Sequence, residues 1–146
     1  MTRDPYCCTT LSTAQDAALQ MRRWNAGALP VVDSFYDRRL LGIVTDRDLC
    51  LAVVATDRAP SQVRLGECMT QHPVCCGADD DVSQALRLMC ERHLRRLPVL
   101  NAQGVVVGMV SITDLVRYRA IGERELAEAM PQISTAAEVL PHVTER

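Results

Sequence analysis

The chain is predicted to fold as an α+β protein: two β-α-β-β-α repeats packed through their sheets about a pseudo-twofold axis. The sequence repeats itself, and within each copy helical and strand-like hydrophobic patterns alternate at matched places. Repeats come first, because a missed one miscalls the whole fold. The opening octet "MTRDPYCC" returns as "MTQHPVCC" over residues 69–76. A displacement of 68 aligns Met1, Thr2, Pro5, Cys7, Cys8, Ala17, Met21, Leu29, Pro30 and Val31 with Met69, Thr70, Pro73, Cys75, Cys76, Ala85, Met89, Leu97, Pro98 and Val99. Beyond "DSFYDRRL" the displacement falls to 66, and Gly42, Val44, Asp48 and Leu49 meet Gly108, Val110, Asp114 and Leu115. A turn of different length explains the slip, since loops tolerate insertions better than the elements they join. The expected division is repeat one at 1–58, a linker at 59–67, repeat two at 68–119 and a helical tail at 120–146.

In the first repeat, "AQDAALQMRRW" sets Ala14, Ala17, Ala18 and Met21 at helical spacing behind a Ser-Thr pair suited to capping. "GALPVVD" and "RRLLGIVT" are short, apolar and β-branched, with the polar "SFYDR" between them as a hairpin turn. "DRDLCLAVVAT" then resumes helical character. The second repeat follows suit: a helix in "DDDVSQALRLMCERH", opened by acidic residues that suit its positive end, strands in "RRLPVLN" and "VVVGMVS" about a turn at "AQG", and a helix from "ITDLVRYRA". "DRAPSQVRLGE" has the proline and polar residues of a connector. Neither repeat buries a sheet face alone, so the two sheets must pack together.

The tail begins as an acidic, apolar helix with Leu126 and Met130 at i and i+4, which Pro131 is expected to stop. A short amphipathic stretch, "TAAEVL", follows. Two roles are open for it: covering a partner subunit or client protein, or fraying into solvent.

Composition bounds the function. In 146 residues, 48% hydrophobic and 23% charged, there is material for a sizeable core, so disorder is excluded for most of the chain. Net charge −2 offers no overall attraction to nucleic acid or an anionic membrane. No run approaches the roughly 18 apolar residues of a membrane span, and no apolar segment follows a basic start, so a cytoplasmic location is expected. Seven cysteines without CxxC spacing argue against a secreted disulfide framework.

The chemistry falls at "GIVTDRD" and "GMVSITD", residues 42–48 and 108–114. Each sets a hydroxyl at a strand end and a carboxylate three residues on, in the first turn of a helix: Thr45 with Asp48, Ser111 with Asp114. Backbone N–H groups at a helix start attract phosphate, a hydroxyl can donate to it, and a carboxylate can accept from the vicinal hydroxyls of a ribose. The same residues also suit plain helix capping.

With "MTxxP" starts, the "LPVV…GIVTDRD" and "LPVL…GMVSITD" patterns and the tandem plan, the chain resembles a pair of CBS domains, a Bateman module, over roughly residues 1–119. It is similar to the free-standing two-repeat bacterial type. The resemblance implies a non-catalytic regulatory sensor that binds an adenosine ligand such as AMP, ADP, ATP or S-adenosylmethionine between the repeats. It also implies a homodimer, an unidentified client protein, and no required cofactor.

Carried over residue by residue, one cleft takes Thr45, Arg47 and Asp48 with Val74, Leu94, Arg95 and Arg96 of repeat two. The other takes Ser111, Thr113 and Asp114 with Tyr6, Ala26, Gly27 and Ala28 of repeat one. Guanidinium groups suit phosphate oxygens, so the first cleft is expected to be the better polyphosphate site. A start at Met1 lacks the residues that precede this motif in the family, which would leave the second cleft more open unless Tyr6 stacks on a base.

Other readings are weighed against this one. Family geometry could gather Cys7, Cys8, Cys75 and Cys76 near the axis, where four thiols suit zinc or a redox disulfide. Against that, adjacent strand residues face opposite ways and free cysteine packs as a small hydrophobe, so the octet reads as a duplicated strand leading to a cleft. His72, His93 and His142 lack metal-hydrolase spacing, and no nucleophile elbow, Walker loop or dinucleotide fingerprint is present, so no catalysis is expected. A dimeric scaffold without ligand and a thiol-based redox or metal sensor remain the alternatives.

Overall fold

The duplication is visible strand by strand in a computed structural model of the chain, which describes residues 1–118 and 120–134. The "TAAEVL" stretch and His142 lie outside the described residues. Repeat one runs β1 (Thr2–Arg3), β2 (Cys8–Thr9), α1 (Ala14–Trp24), β3 (Ala28–Val32), β4 (Leu40–Thr45) and α2 (Asp46–Val53). There follow α3 (Leu65–Cys68), then β5 (Thr70–Gln71), β6 (Cys76–Gly77), α4 (Val82–Glu91), β7 (Arg96–Leu100), β8 (Val106–Ser111), α5 (Ile112–Arg117) and finally α6 (Glu123–Ser134). Both displacements reappear in the register: Ala28 pairs with Thr45 as Arg96 does with Ser111, and each hairpin carries a bulge at the matching place. No helix among the described residues is long and apolar enough to cross a membrane.

Two four-stranded sheets form, in the orders β2-β3-β4-β5 and β1-β8-β7-β6. Each repeat therefore lends one short strand to the other. β1 pairs with β8 through Thr2↔Met109 and Arg3↔Gly108, and β5 pairs with β4 through Ile43↔Thr70 and Gly42↔Gln71. This explains the repeated octet: its Met-Thr end belongs to one sheet and its second cysteine to the other. The motif glycines make room for the lent strand. A Cβ on Gly42 would stand 2.6 Å from Met69 Sδ and 2.7 Å from the Thr70 carbonyl oxygen; on Gly108 it would stand 2.9 Å from Met1 Sδ.

Left-handed backbone is duplicated too. Asp4 and His72, Asn25 and His93, and Arg38 and Gly104 all have positive φ at equivalent positions. Asp, Asn, His and Gly are the residues that tolerate this region best, and Asn25 uses it to end α1.

The residues identical between repeats are largely the core. Cys8, Ala17, Met21, Leu29, Val31, Val44 and Leu49 are buried in one cluster, and Cys76, Ala85, Met89, Leu97, Val99, Val110 and Leu115 in the other. Ala18, expected on the same helical face, is exposed. The two clusters are closed differently. Val63 and Leu65, from the segment read as connector, are fully buried under repeat one, and the Val63 carbonyl accepts from Ala14 N–H at 2.9 Å. Over repeat two, α6 packs on α4 through Ala129 and Ile133. Helix α6 passes through Pro131 where a stop was expected. Three described residues follow the proline in the helix, and Ile133 among them is buried. The buried stripe is Ala129 and Ile133, while Met130 is 37% exposed. Between the repeats, Val106 N–H donates to the Arg38 carbonyl and Leu40 N–H to that of Gly104, above a third cluster of Cys7, Val32 and Val106.

Candidate functional site

Each hydroxyl–aspartate pair folds into a closed capping box, because the two side chains sit at N-cap and N3, the spacing at which each reaches the other's backbone N–H. Ser111 N–H and Oγ both donate to Asp114 Oδ2 at 2.9 Å, and Asp114 N–H donates to Ser111 Oγ at 3.2 Å. Thr45 and Asp48 do the same at 2.8, 2.8 and 3.2 Å. The hydroxyl proton is thus directed at its own aspartate, the helix-capping arrangement that the same residues also suit. Each aspartate keeps Oδ1 without a partner among the described residues, so one acceptor remains for a ligand hydroxyl.

Around Ser111 and Asp114 opens a cavity of about 1070 Å³. It brings together the whole second set: Tyr6, Ala26, Gly27 and Ala28 from repeat one, Ser111, Thr113 and Asp114 from repeat two. Within each repeat the start of the second helix is tied to the residue just ahead of the hairpin's first strand, since Asp46 N–H donates to the Gly27 carbonyl as Ile112 N–H does to that of Arg95. Burial holds the Tyr6 phenol above its ordinary pKa, so it stays neutral and able to donate.

The other set is less gathered. Thr45 and Asp48 bind each other, Arg47 is exposed, and Val74 and Leu94 pack against the core of repeat two. Arg95 and Arg96, expected in the first cleft, line the Ser111–Asp114 cavity. The reason is the hairpin: Arg96 pairs directly across from Ser111, and its guanidinium extends over Gly27, where a Cβ would stand 2.6 Å from Nη1.

Sequence reasoning missed several residues of this wall: Arg3, Trp24, Phe35, Arg38, Arg117 and Met130. Two of them had a signal, since Phe35 and Arg38 lie in "DSFYDRRL", where the repeats differ in length, and insertions in repeats collect on functional loops. Arg117 stands three residues after Asp114, on a neighbouring face of α5. Arg38 is tied down by an ion pair with Asp4 and by bonds to the Pro5 carbonyl at 2.8 Å and Cys7 Sγ at 3.4 Å.

Three of the four octet thiols lie in three different clusters. Cys8 lies in the core of repeat one, Cys76 in that of repeat two and Cys7 in the seam. Burial pushes the Cys8 pKa up to about 12 and that of Cys76 to about 11. Among the described residues no three His, Cys, Asp or Glu side chains are placed to hold a metal ion.

The family model described as the CBS domain matches residues 1–55 and again residues 65–121. The chain belongs to the CBS-domain family. This CBS pair is 40% identical over 124 residues to the uncharacterized protein YlbB of Bacillus subtilis, spanning 85% of this chain and 82% of that protein. It is 35% identical to the mitochondrial CBS domain-containing protein CBSX3 of Arabidopsis thaliana, across 81% of this chain and 58% of that protein. Among solved structures it resembles Arabidopsis CBSX2 in complex with AMP, with a TM-score of 0.70 at 25% identity, over 82% of this chain and 91% of that one.

Proposed function

We propose that this CBS pair is a regulatory sensor of an adenosine-containing ligand, bound in the Ser111–Asp114 cavity, whose occupancy is relayed to a client protein. The carrying observation is the cavity itself: Asp114, whose Oδ1 has no partner among the described residues, lines it together with Ala26–Ala28 of the other repeat and with Arg95, Arg96 and Arg117. Asp114 accepts from the ribose hydroxyls, the backbone about Ala26–Ala28 meets the adenine, and the arginines hold phosphate. The AMP complex of CBSX2 supports this reading. The polyphosphate site is accordingly this cavity and not the Thr45–Asp48 side.

The module acts without catalysis, as a homodimer, and ligand biases its output only through differing affinity for two arrangements. Uncovered apolar side chains on α1 and α2, Leu19 at 45% and Leu51 at 51% exposure, favour a second copy there.

Calorimetric titration of the full chain, stripped of co-purified nucleotide, with AMP, ADP, ATP and S-adenosylmethionine tests the reading. Saturable binding that Asp114→Ala abolishes and Asp48→Ala retains is expected. Binding to none of the four, or binding indifferent to Asp114→Ala, overturns it.

A further inference from the structure

We infer that repeat two carries a docking groove for a partner protein's peptide segment of the pattern apolar–basic–apolar–small, the pattern with which residues 63–66 cover repeat one. The groove, about 310 Å³, opens beside α4 and α5, and its wall, Met1 apart, belongs wholly to repeat two. Cys76, Val82, Ala85, Val99, Val110 and Leu115 line it. Their counterparts in the duplication are Cys8, Ala14, Ala17, Val31, Val44 and Leu49, six members of the buried cluster that Val63 and Leu65 complete. The same six positions thus make a groove in one repeat and a sealed core in the other.

The covering segment defines what fits. In repeat one Val63 and Leu65 are fully buried, Ala14 N–H donates to the Val63 carbonyl at 2.9 Å, and Leu65 and Gly66 N–H donate to the Ser12 and Thr10 carbonyls at 2.9 and 3.1 Å. The segment enters extended and turns into α3, and a Cβ on Gly66 would stand 3.3 Å from Thr10 Cβ, so the residue after the second anchor is small. Repeat two has no counterpart of this segment among the described residues. Val82, which takes the place of Ala14, is 41% exposed against 1% for the alanine. Its N–H and the carbonyls of Asp80 and Ala78, the counterparts of Ser12 and Thr10, make no backbone hydrogen bond among the described residues. Room for two apolar anchors and three backbone bonds is what an incoming segment finds.

Charge selects the residue between the anchors. Arg64 occupies that place in repeat one, its Nη1 donating to the Leu11 carbonyl at 2.6 Å. Leu11, Ser12 and Thr13 correspond to Asp79, Asp80 and Asp81, so the rim that this side chain crosses is acidic in repeat two. None of the three carboxylates is in an ion pair among the described residues. A lysine or arginine flanked by the two anchors meets complementary charge there, whereas an acidic residue is repelled. A partner's segment suits the groove better than the same segment of a second copy, whose Val63 and Leu65 are already buried in their own repeat.

The full chain, free of nucleotide, is titrated into a fluorescein-labelled peptide of residues 60–69, PSQVRLGECM, and followed by anisotropy. Saturable binding is expected. Val63→Asp or Leu65→Asp in the peptide should weaken it about tenfold to a hundredfold, the range that burial of one such side chain provides. Arg64→Glu in the peptide should weaken it several-fold. These peptide variants leave the protein unaltered, so their outcome is free of any folding defect. In the protein, Val82→Arg at its exposed position should weaken binding of the unaltered peptide as strongly as loss of an anchor. No saturable binding, whether because residues 135–146 or a second copy already cover the groove or because nothing docks there, overturns the inference. Binding indifferent to Val63→Asp, to Arg64→Glu or to Val82→Arg overturns it as well. The adenosine reading is untouched by any of these results, since no nucleotide is present.

Discussion

Met69 lies across the bare Cα of Gly42: a Cβ there would stand 2.6 Å from the thioether sulfur and 2.7 Å from the Thr70 carbonyl oxygen. This contact is where one repeat lends its strand to the other. A methionine tip can swing aside, but a paired backbone oxygen cannot. Gly42→Ala should therefore destabilise by about 1–3 kcal/mol, the usual cost of overpacking. Gly108→Ala should cost less, because its nearest neighbour is the flexible Met1 Sδ and the Thr2 oxygen is 3.2 Å away. Urea midpoints of the two variants test the order; equal losses would mean that the backbone contact at Gly42 is not what limits the fit.

The capping boxes separate folding from binding. Ser111→Ala and Thr45→Ala each remove an N-cap and should cost about 1 kcal/mol in ligand-free protein. Ser111→Ala should weaken nucleotide binding less than Asp114→Ala, since the hydroxyl proton is already directed at Asp114 Oδ2. Thermal melts beside calorimetry check this, and equal binding losses would show that the hydroxyl itself contacts ligand.

Stability should fall on the alkaline side. Burial raises the Cys8 pKa to about 12 and the Cys76 pKa to about 11, above the roughly 8.5 of an unfolded thiol. In that interval the unfolded chain has lost protons that the folded chain keeps, so stability decreases as pH rises from about 8.5. Below that pH the contribution is present in full. Denaturant midpoints at pH 8 and pH 10.5 should differ, and Cys8→Ala should flatten the slope. An unchanged slope would mean that other groups set the alkaline limb.

Helix α6 should be integral to repeat two. Ile133 is 3% exposed against α4, so Ile133→Ala should cost about 2–5 kcal/mol. Met130, on the cavity side, should change stability by less than about 1 kcal/mol when replaced by Ala. Melting temperatures of the pair decide whether the tail belongs to the fold.

What the sequence by itself determined is what depends on neighbours along the chain. The repeat, its change of displacement at "DSFYDRRL", the helices and hairpins and the capping pairs were legible because periodicity and i, i+3 spacing are local properties. Identities such as Met21 with Met89 and Val44 with Val110 marked the core, because interior volume constrains both copies alike. Tertiary structure alone decided the exchange of β1 and β5, the cavity in which Arg95 and Arg96 lie, the meeting of Trp24 and Phe35 with Ser111, and the seating of α6 on α4. Each of these joins residues far apart in the chain. A hydrophobic pattern says which face of an element is buried, whereas its partner is selected by packing across the assembled fold.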